Sequence, residues 1–179
     1  MFVAVYYTDT EREYIMSFSR TELGNALKLL SERLPEFSEK QAHTTRLLRI
    51  TSDRLSSQQN ELLKEFGINE NLWFAVLAVY VSPNQEILPS QLSDLMDLTH
   101  TSATRLSDEM VERGWIERSI NEKDRRQIVL KLTEKGENFI KEVEPHMAKG
   151  RMPLWEDFKE EEFAQLQHLL SKLLTRLGG

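Results

Sequence analysis

The sequence predicts a mainly α-helical fold with a small β wing: a winged helix-turn-helix domain plus N- and C-terminal dimerisation helices. Three observations predict it. Apolar residues recur at helical spacing near both ends of the chain. Two short helical segments between residues 89 and 113 are joined by a tight turn. Directly after them the apolar period changes to that of a strand, twice, around a charged tip. The expected division is 1–69 for an N-terminal arm and dimerisation helices, 70–132 for the winged helix-turn-helix, and 133–179 for C-terminal dimerisation helices.

Composition bounds this reading. The 179 residues are enough to bury a proper core, and 40% apolar with 29% charged residues suits a soluble globular chain. With only 7 glycines and 5 prolines, long helices are favoured over linkers. The absence of cysteine excludes disulfides, thiolate metal sites and a sensory thiol, and fits a cytoplasmic home. No apolar run approaches the roughly 18–20 residues of a membrane helix, so no membrane partner is expected. The apolar opening from Met1 to Tyr7 lacks a basic start and stops at Thr8, which speaks against a signal peptide. Met16 opens a more typical polar, helix-prone stretch, so residues 1–15 read as a disordered arm or as extra to the gene. The net charge of −6 opposes nucleic acid in general, but a small basic face decides that question.

Along the chain, Leu23, Leu27, Leu30 and Leu34 predict a helix over 20–34 that Pro35 ends. Ser38 and Gln41 make a capping box for a long amphipathic helix with Leu47, Ile50, Leu55, Leu62 and Phe66, closed by Gly67. Asn69 caps a helix over 70–81 that is apolar nearly all round and therefore central; Pro83 and Asn84 break it. Pro89 suits the first position of a short helix over 89–96, with Leu92, Leu95 and Met96 inward. Thr99 caps the next helix, to about Arg113, and Gly114 ends it. Residues 115–120 and 127–132 read as the two strands of a hairpin, which after a helix-turn-helix is a wing. Thr133 caps a helix to about Ala148, with Phe139, Ile140 and Val143 inward, a kink at Pro145 and a break at Pro153. Glu160, Glu161 and Glu162 open the last helix, where their charge suits the helix dipole; Lys159 is a poor cap, so a loose start is expected. Leu166, Leu169, Leu170, Leu173, Leu174 and Leu177 then form a leucine face, read as part of a dimer interface, with packing onto its own subunit as the alternative.

The chemistry gathers at the helix-turn-helix and the hairpin. Ala103, Leu106, Met110 and Val111 share one face of the second helix, which leaves Thr101, Ser102, Thr104 and Arg105 on the opposite face of its first turns. Small hydrogen-bonding groups let a helix enter the major groove, and arginine reaches a guanine edge. Taken alone, the same residues also suit an ordinary solvated face. Lys123, Arg125 and Arg126 cluster at the hairpin tip, where an arginine can enter the minor groove. Asp124 would be repelled by DNA, so its expected role is to orient an arginine. Helix-turn-helix, hairpin and basic tip in this order are jointly much harder to obtain by chance than any one alone.

Asp124-Arg125-Arg126, with Leu132-Thr133 after five further residues, resembles the wing signature of the MarR family of transcription regulators. So does the stretch from Ala103-Thr104-Arg105-Leu106 through Glu112-Arg113-Gly114-Trp115-Ile116-Glu117-Arg118, and Leu132-Thr133-Glu134-Lys135-Gly136 is similar to the family's entry into its following helix. The resemblance runs from about Arg46 to Leu177 and is closest to the multidrug-efflux repressor, EmrR-like branch. It implies a homodimer with a winged helix on each side, binding a pseudo-palindromic double-stranded operator, commonly as a repressor of an efflux or stress operon. It also implies release when a small aromatic or lipophilic anion binds between the dimerisation and DNA-binding regions. Carried over by position, Asp124 and Arg126 are the paired wing residues.

The effector site is less legible. Trp73 and Phe74 could line an aromatic pocket, and Arg46 or Arg49 could meet a ligand carboxylate; simple core aromatics and solvated arginines are the alternative. His43, His100, His146 and His168 are widely separated, so no metal site and no cofactor are expected. No Ser-His-Asp grouping or Gly-rich phosphate loop stands out, so no enzyme is expected. The rival function is a winged-helix protein-interaction module without DNA binding, which the acidic net charge favours and Arg105 and Arg126 oppose.

Overall fold

The computed structural model describes residues 28–120 and 126–178. The expected N-terminal arm, the start of the first helix and most of the hairpin tip lie outside them. The chain divides into two units at Ser56, and each is described by itself. In the first unit, residues 28–33 are helical and stop short of Pro35, as the restriction on a residue preceding proline requires. Ser38 Oγ then accepts the Gln41 N–H at 3.3 Å and starts α1, Glu39–Leu63.

The second unit takes in the last turns of α1, which tighten into a 3₁₀ turn, Lys64–Phe66, and end at Gly67 with φ 65°. Asn69 caps α2, Glu70–Val81, its side chain accepting the Leu72 N–H at 2.9 Å. α2 is the centre of the core: Leu72, Trp73, Ala75, Val76, Ala78 and Val79 are all buried. After it come β1, Glu86–Ile87; α3, Pro89–Leu95; α4, His100–Glu112; β2, Ile116–Ile120; β3, Ile128–Leu132; α5, Glu134–Trp155; and α6, Glu160–Leu177. The strands form one antiparallel sheet in the order β1-β3-β2. Among the described residues no helix is long and apolar enough to cross a membrane.

One strand was not foreseen, and three expectations need correction. β1 is a strand of two residues, too short to show alternation in sequence. It is held by Glu86 opposite Lys131, whose side chains pair at 3.2 Å. Leu95 does not face inward but is 63% exposed. Ser93 takes the inward place, buried and donating to Ser90 O at 2.7 Å, which turns the buried stripe of α3 onto Leu92 and Ser93 and carries Leu95 away from it. Pro153 does not break the chain: α5 runs through both Pro145 and Pro153 to Trp155. Both prolines are on the exposed side, and the carbonyls they leave without a donor, at 141 and 149, belong to exposed residues that water can serve, while Val143 and Met147 hold the helix to the core. Finally, α6 does not start loosely, because Glu162 accepts the Lys159 N–H at 2.9 Å and supplies the reciprocal half of a capping box from inside the helix.

Candidate nucleic-acid interface

The geometry starts with the turn between α3 and α4. Asp97 takes a left-handed conformation, φ 50°, which reverses the chain. Thr99 Oγ1 then accepts the Ser102 N–H at 3.2 Å and opens α4. The inner side of α4 is buried through Ala103, Ser107 and Met110, with Leu106 and Val111 packed against the core. Ser107 donates to Ala103 O at 2.8 Å, so its hydroxyl is satisfied inside. Burying that side leaves Thr101, Ser102, Thr104 and Arg105 exposed on the first turns, as their spacing predicts. Thr104 donates its hydroxyl hydrogen to His100 O at 2.8 Å, which leaves a methyl group and acceptor lone pairs outward.

The far end of α4 is tied down more tightly than sequence reading indicated. Arg113 donates to Glu109 Oε1 at 2.8 Å and to Gly67 O at 3.0 Å, and its guanidinium lies over the Trp115 ring. Trp115 stacks on Phe139 of α5 with ring centroids 4.0 Å apart. Gly114, φ 72°, makes the sharp exit into β2. Thr133 closes the base of the hairpin. Its N–H donates to Trp115 O, its hydroxyl donates to Gly114 O at 2.7 Å, and the same oxygen accepts the Gly136 N–H at 3.1 Å. Gly136 permits this approach, because a Cβ there would stand 2.2 Å from Trp115 O. Sequence reading placed Thr133 only as a cap; the Leu132-Thr133-Glu134-Lys135-Gly136 run carried the signal, and its purpose is contact with the end of α4.

The wing strands pair Ile116 with Leu132 at the base and Ile120 with Ile128 toward the tip. Arg126 is exposed just before β3, while Lys123, Asp124 and Arg125 lie outside the described residues. Arg118, midway along β2, donates to Asp108 of α4. The helix-turn-helix and the described part of the wing thus present Thr101, Ser102, Thr104, Arg105 and Arg126 as exposed side chains.

Arg46 and Arg49 belong to the first unit, Trp73 and Phe74 to the second. Trp73 is fully buried, edge-on to Phe139, whereas Phe74 is 43% exposed. Trp73 and Phe74 both border a hollow of about 550 Å³, together with Leu77, Tyr80, Ile140, Lys141 and Arg151. Lys141 keeps its charge there, since the hydrogen bond to Glu137 at 2.6 Å holds its ammonium above the usual lysine range.

A model of the MarR family matches residues 68–128, which span α2 to the first residue of β3. Over 162 residues the chain is 38% identical to the transcriptional repressor MprA of Escherichia coli K12, covering 90% of this chain and 92% of that protein. Among solved structures, a mutant MarR from E. coli complexed with operator DNA aligns with 82% of this chain and 98% of its own, with a TM-score of 0.67 and 24% identity. A MarR/EmrR family transcriptional regulator from Acinetobacter sp. ADP1 aligns with 77% of this chain and 96% of its own, with a TM-score of 0.67 and 22% identity. The two structural likenesses speak to the fold.

Proposed function

The chain belongs to the MarR family, and on that footing we propose that it is a sequence-specific, DNA-binding transcriptional repressor. It acts as a homodimer on a pseudo-palindromic double-stranded operator. One observation carries this reading: α4 buries Ala103, Ser107 and Met110 and leaves Thr101, Ser102, Thr104 and Arg105 exposed at its N-terminal end, the part of a recognition helix that meets base edges. Arg105 is assigned to a base or phosphate in the major groove. Lys123, Arg125 and Arg126 are assigned to the wing's contacts, with Asp124 orienting an arginine. Dimerisation is assigned to the N- and C-terminal helices, and the leucine face of α6 supports it, with Leu169, Leu174 and Leu177 each more than half exposed. The repressor is relieved by a small aromatic or lipophilic anion received beside Phe74, and the regulated operon serves efflux or stress in the cytoplasm. No catalytic role and no cofactor are proposed.

Selection of genomic DNA fragments on the purified protein at physiological salt tests this, with Arg126→Ala as control. The expected result is enrichment of a palindromic site, with operator affinity about 10- to 100-fold lower in the variant, the scale of a lost base or groove contact. Enrichment by neither protein overturns the reading and favours a winged-helix protein-interaction module.

A further inference from the structure

We propose that His100 is a specificity-determining residue of the operator contact. Held through Nδ1 by the buried Ser93, it presents Nε2 as a fixed hydrogen-bond acceptor and selects a base that carries an amino group in the major groove, adenine or cytosine. The proposal rests on the DNA-binding reading above and adds to it a residue outside the set Thr101, Ser102, Thr104 and Arg105.

His100 is the first residue of α4 and is exposed. It lies one helical turn before Thr104, whose hydroxyl donates to its carbonyl, so the two side chains share the face assigned to DNA. Behind it on α3 stands Ser93, 1% exposed. A hydroxyl buried so deeply has to be paired, and this one is paired twice. It donates its one hydrogen to Ser90 O at 2.7 Å, and its oxygen stands 3.1 Å from His100 Nδ1. With the hydroxyl hydrogen committed, the hydrogen of the second bond comes from the ring: Nδ1–H donates to Ser93 Oγ. In the uncharged ring Nε2 then carries a lone pair and no hydrogen. Nε2 has no partner among the described residues and is the ring atom left for a ligand.

This pattern discriminates where its neighbours do not. A serine or threonine hydroxyl rotates to suit a donor or an acceptor, and Arg105 only donates. A fixed acceptor is repelled by guanine O6 and N7 and by thymine O4, which are acceptors themselves. It is satisfied by the N6 amino group of adenine or the N4 amino group of cytosine. Phosphate oxygens repel it too, so the uncharged ring adds discrimination and not general affinity. Ser93 is the positioning residue: it is buried and decides which ring nitrogen is left free.

The test is a set of dissociation constants measured at about pH 8, where an imidazole is uncharged. The duplexes are the selected operator, a scrambled duplex of equal length, and operators in which single adenines are replaced by purine or single cytosines by pyrimidin-2-one, so that only the amino group is lost. The proteins are the wild type, His100→Ala, His100→Gln and Ser93→Ala, with a thermal midpoint for each. His100→Ala is expected to bind the operator about tenfold more weakly, the scale of one lost base contact, and the scrambled duplex as well as the wild type does. At one position of each half-site, removing the amino group costs the wild type about the same tenfold and costs His100→Ala nothing. His100→Gln restores that preference, because its amide oxygen accepts from the same amino group. Ser93→Ala loses part of it at those positions alone. Amino-group costs that all persist in His100→Ala overturn the proposal. So does an equal loss on operator and scrambled duplex with a lowered midpoint, which makes the pair a structural staple between α3 and α4. A Ser93→Ala protein with full preference at those positions overturns the tether. If the wild type itself shows no operator preference, the DNA-binding reading falls, and the role of His100 falls with it.

Discussion

Gly136→Ala puts opposing effects on one atom. Alanine is the better helix former by about 1 kcal/mol, and Gly136 lies in the first turn of α5 without a left-handed backbone, so propensity alone predicts a more stable protein. The structure predicts the reverse. The added Cβ would stand 2.2 Å from Trp115 O and 2.9 Å from Leu132 Cδ1. The first neighbour is backbone, held by the Thr133 N–H, and cannot step aside as the end of a side chain can. Overpacking of this kind costs about 1–3 kcal/mol. Moving the start of α5 also strains the Thr133 bonds to Gly114 O and to the Gly136 N–H, each worth about 1 kcal/mol. Set against the gain in propensity, a net loss of about 2–4 kcal/mol remains, or a fall in melting midpoint of roughly 5–15 °C for a chain of this size. Urea and thermal unfolding at one fixed protein concentration measure it, since the proposed dimerisation would make the midpoint concentration-dependent. Gly150→Ala is the matched comparison: its Cβ would meet only side-chain atoms of Leu62, at 2.5 to 3.1 Å, and no backbone, so a smaller loss is expected. A Gly136→Ala protein as stable as the wild type, or more so, would refute the claim that this glycine exists for the approach of α5 to the end of α4.

Three further outcomes are expected. Thr133→Val keeps the shape but removes the N-cap acceptor and the donor to Gly114 O, and should cost about 1–2 kcal/mol in urea unfolding; no loss means the hairpin base is held elsewhere. Leu173→Asp, on a leucine that is 41% exposed in the single chain, should weaken dimerisation by roughly a hundredfold in light scattering coupled to gel filtration; an unchanged dimer removes α6 from the interface. The logarithm of operator affinity should fall steeply and linearly with the logarithm of salt, because Lys and Arg release counterions from phosphate; a flat response points to a protein partner instead.

The elements were legible wherever a local signal acts on its own neighbours. Ser38, Asn69, Thr99 and Thr133 each accept the N–H three residues on, because a short polar side chain at a helix start reaches nothing else as well. The exposed set on α4 followed from period alone, since burying Ala103 and Met110 forces Thr101, Ser102, Thr104 and Arg105 to the far side. The change from helical to strand period around residue 115 was enough to place the wing. The misreadings arose where a distant neighbour decides. Leu95 has the spacing of a core residue, but the core receives α3 along Leu92 and Ser93 and leaves Leu95 exposed. Pro153 has the chemistry of a breaker, but it falls on the exposed side of a helix already anchored by Val143 and Met147.

By itself, then, the sequence determined the order of the helices and of the two wing strands, the caps at Ser38, Asn69, Thr99 and Thr133, and the outward face of the recognition helix, because those depend on periodicity and on contacts three or four residues apart. Only the tertiary structure decided what joins these parts. The Arg113 bond to Gly67 O spans 46 residues, Thr133 reaches back 19 to Gly114, and Asp108 meets Arg118 across an open cleft. Contacts of that range leave no period in the chain; they exist once burial of α2 has fixed where each element must lie.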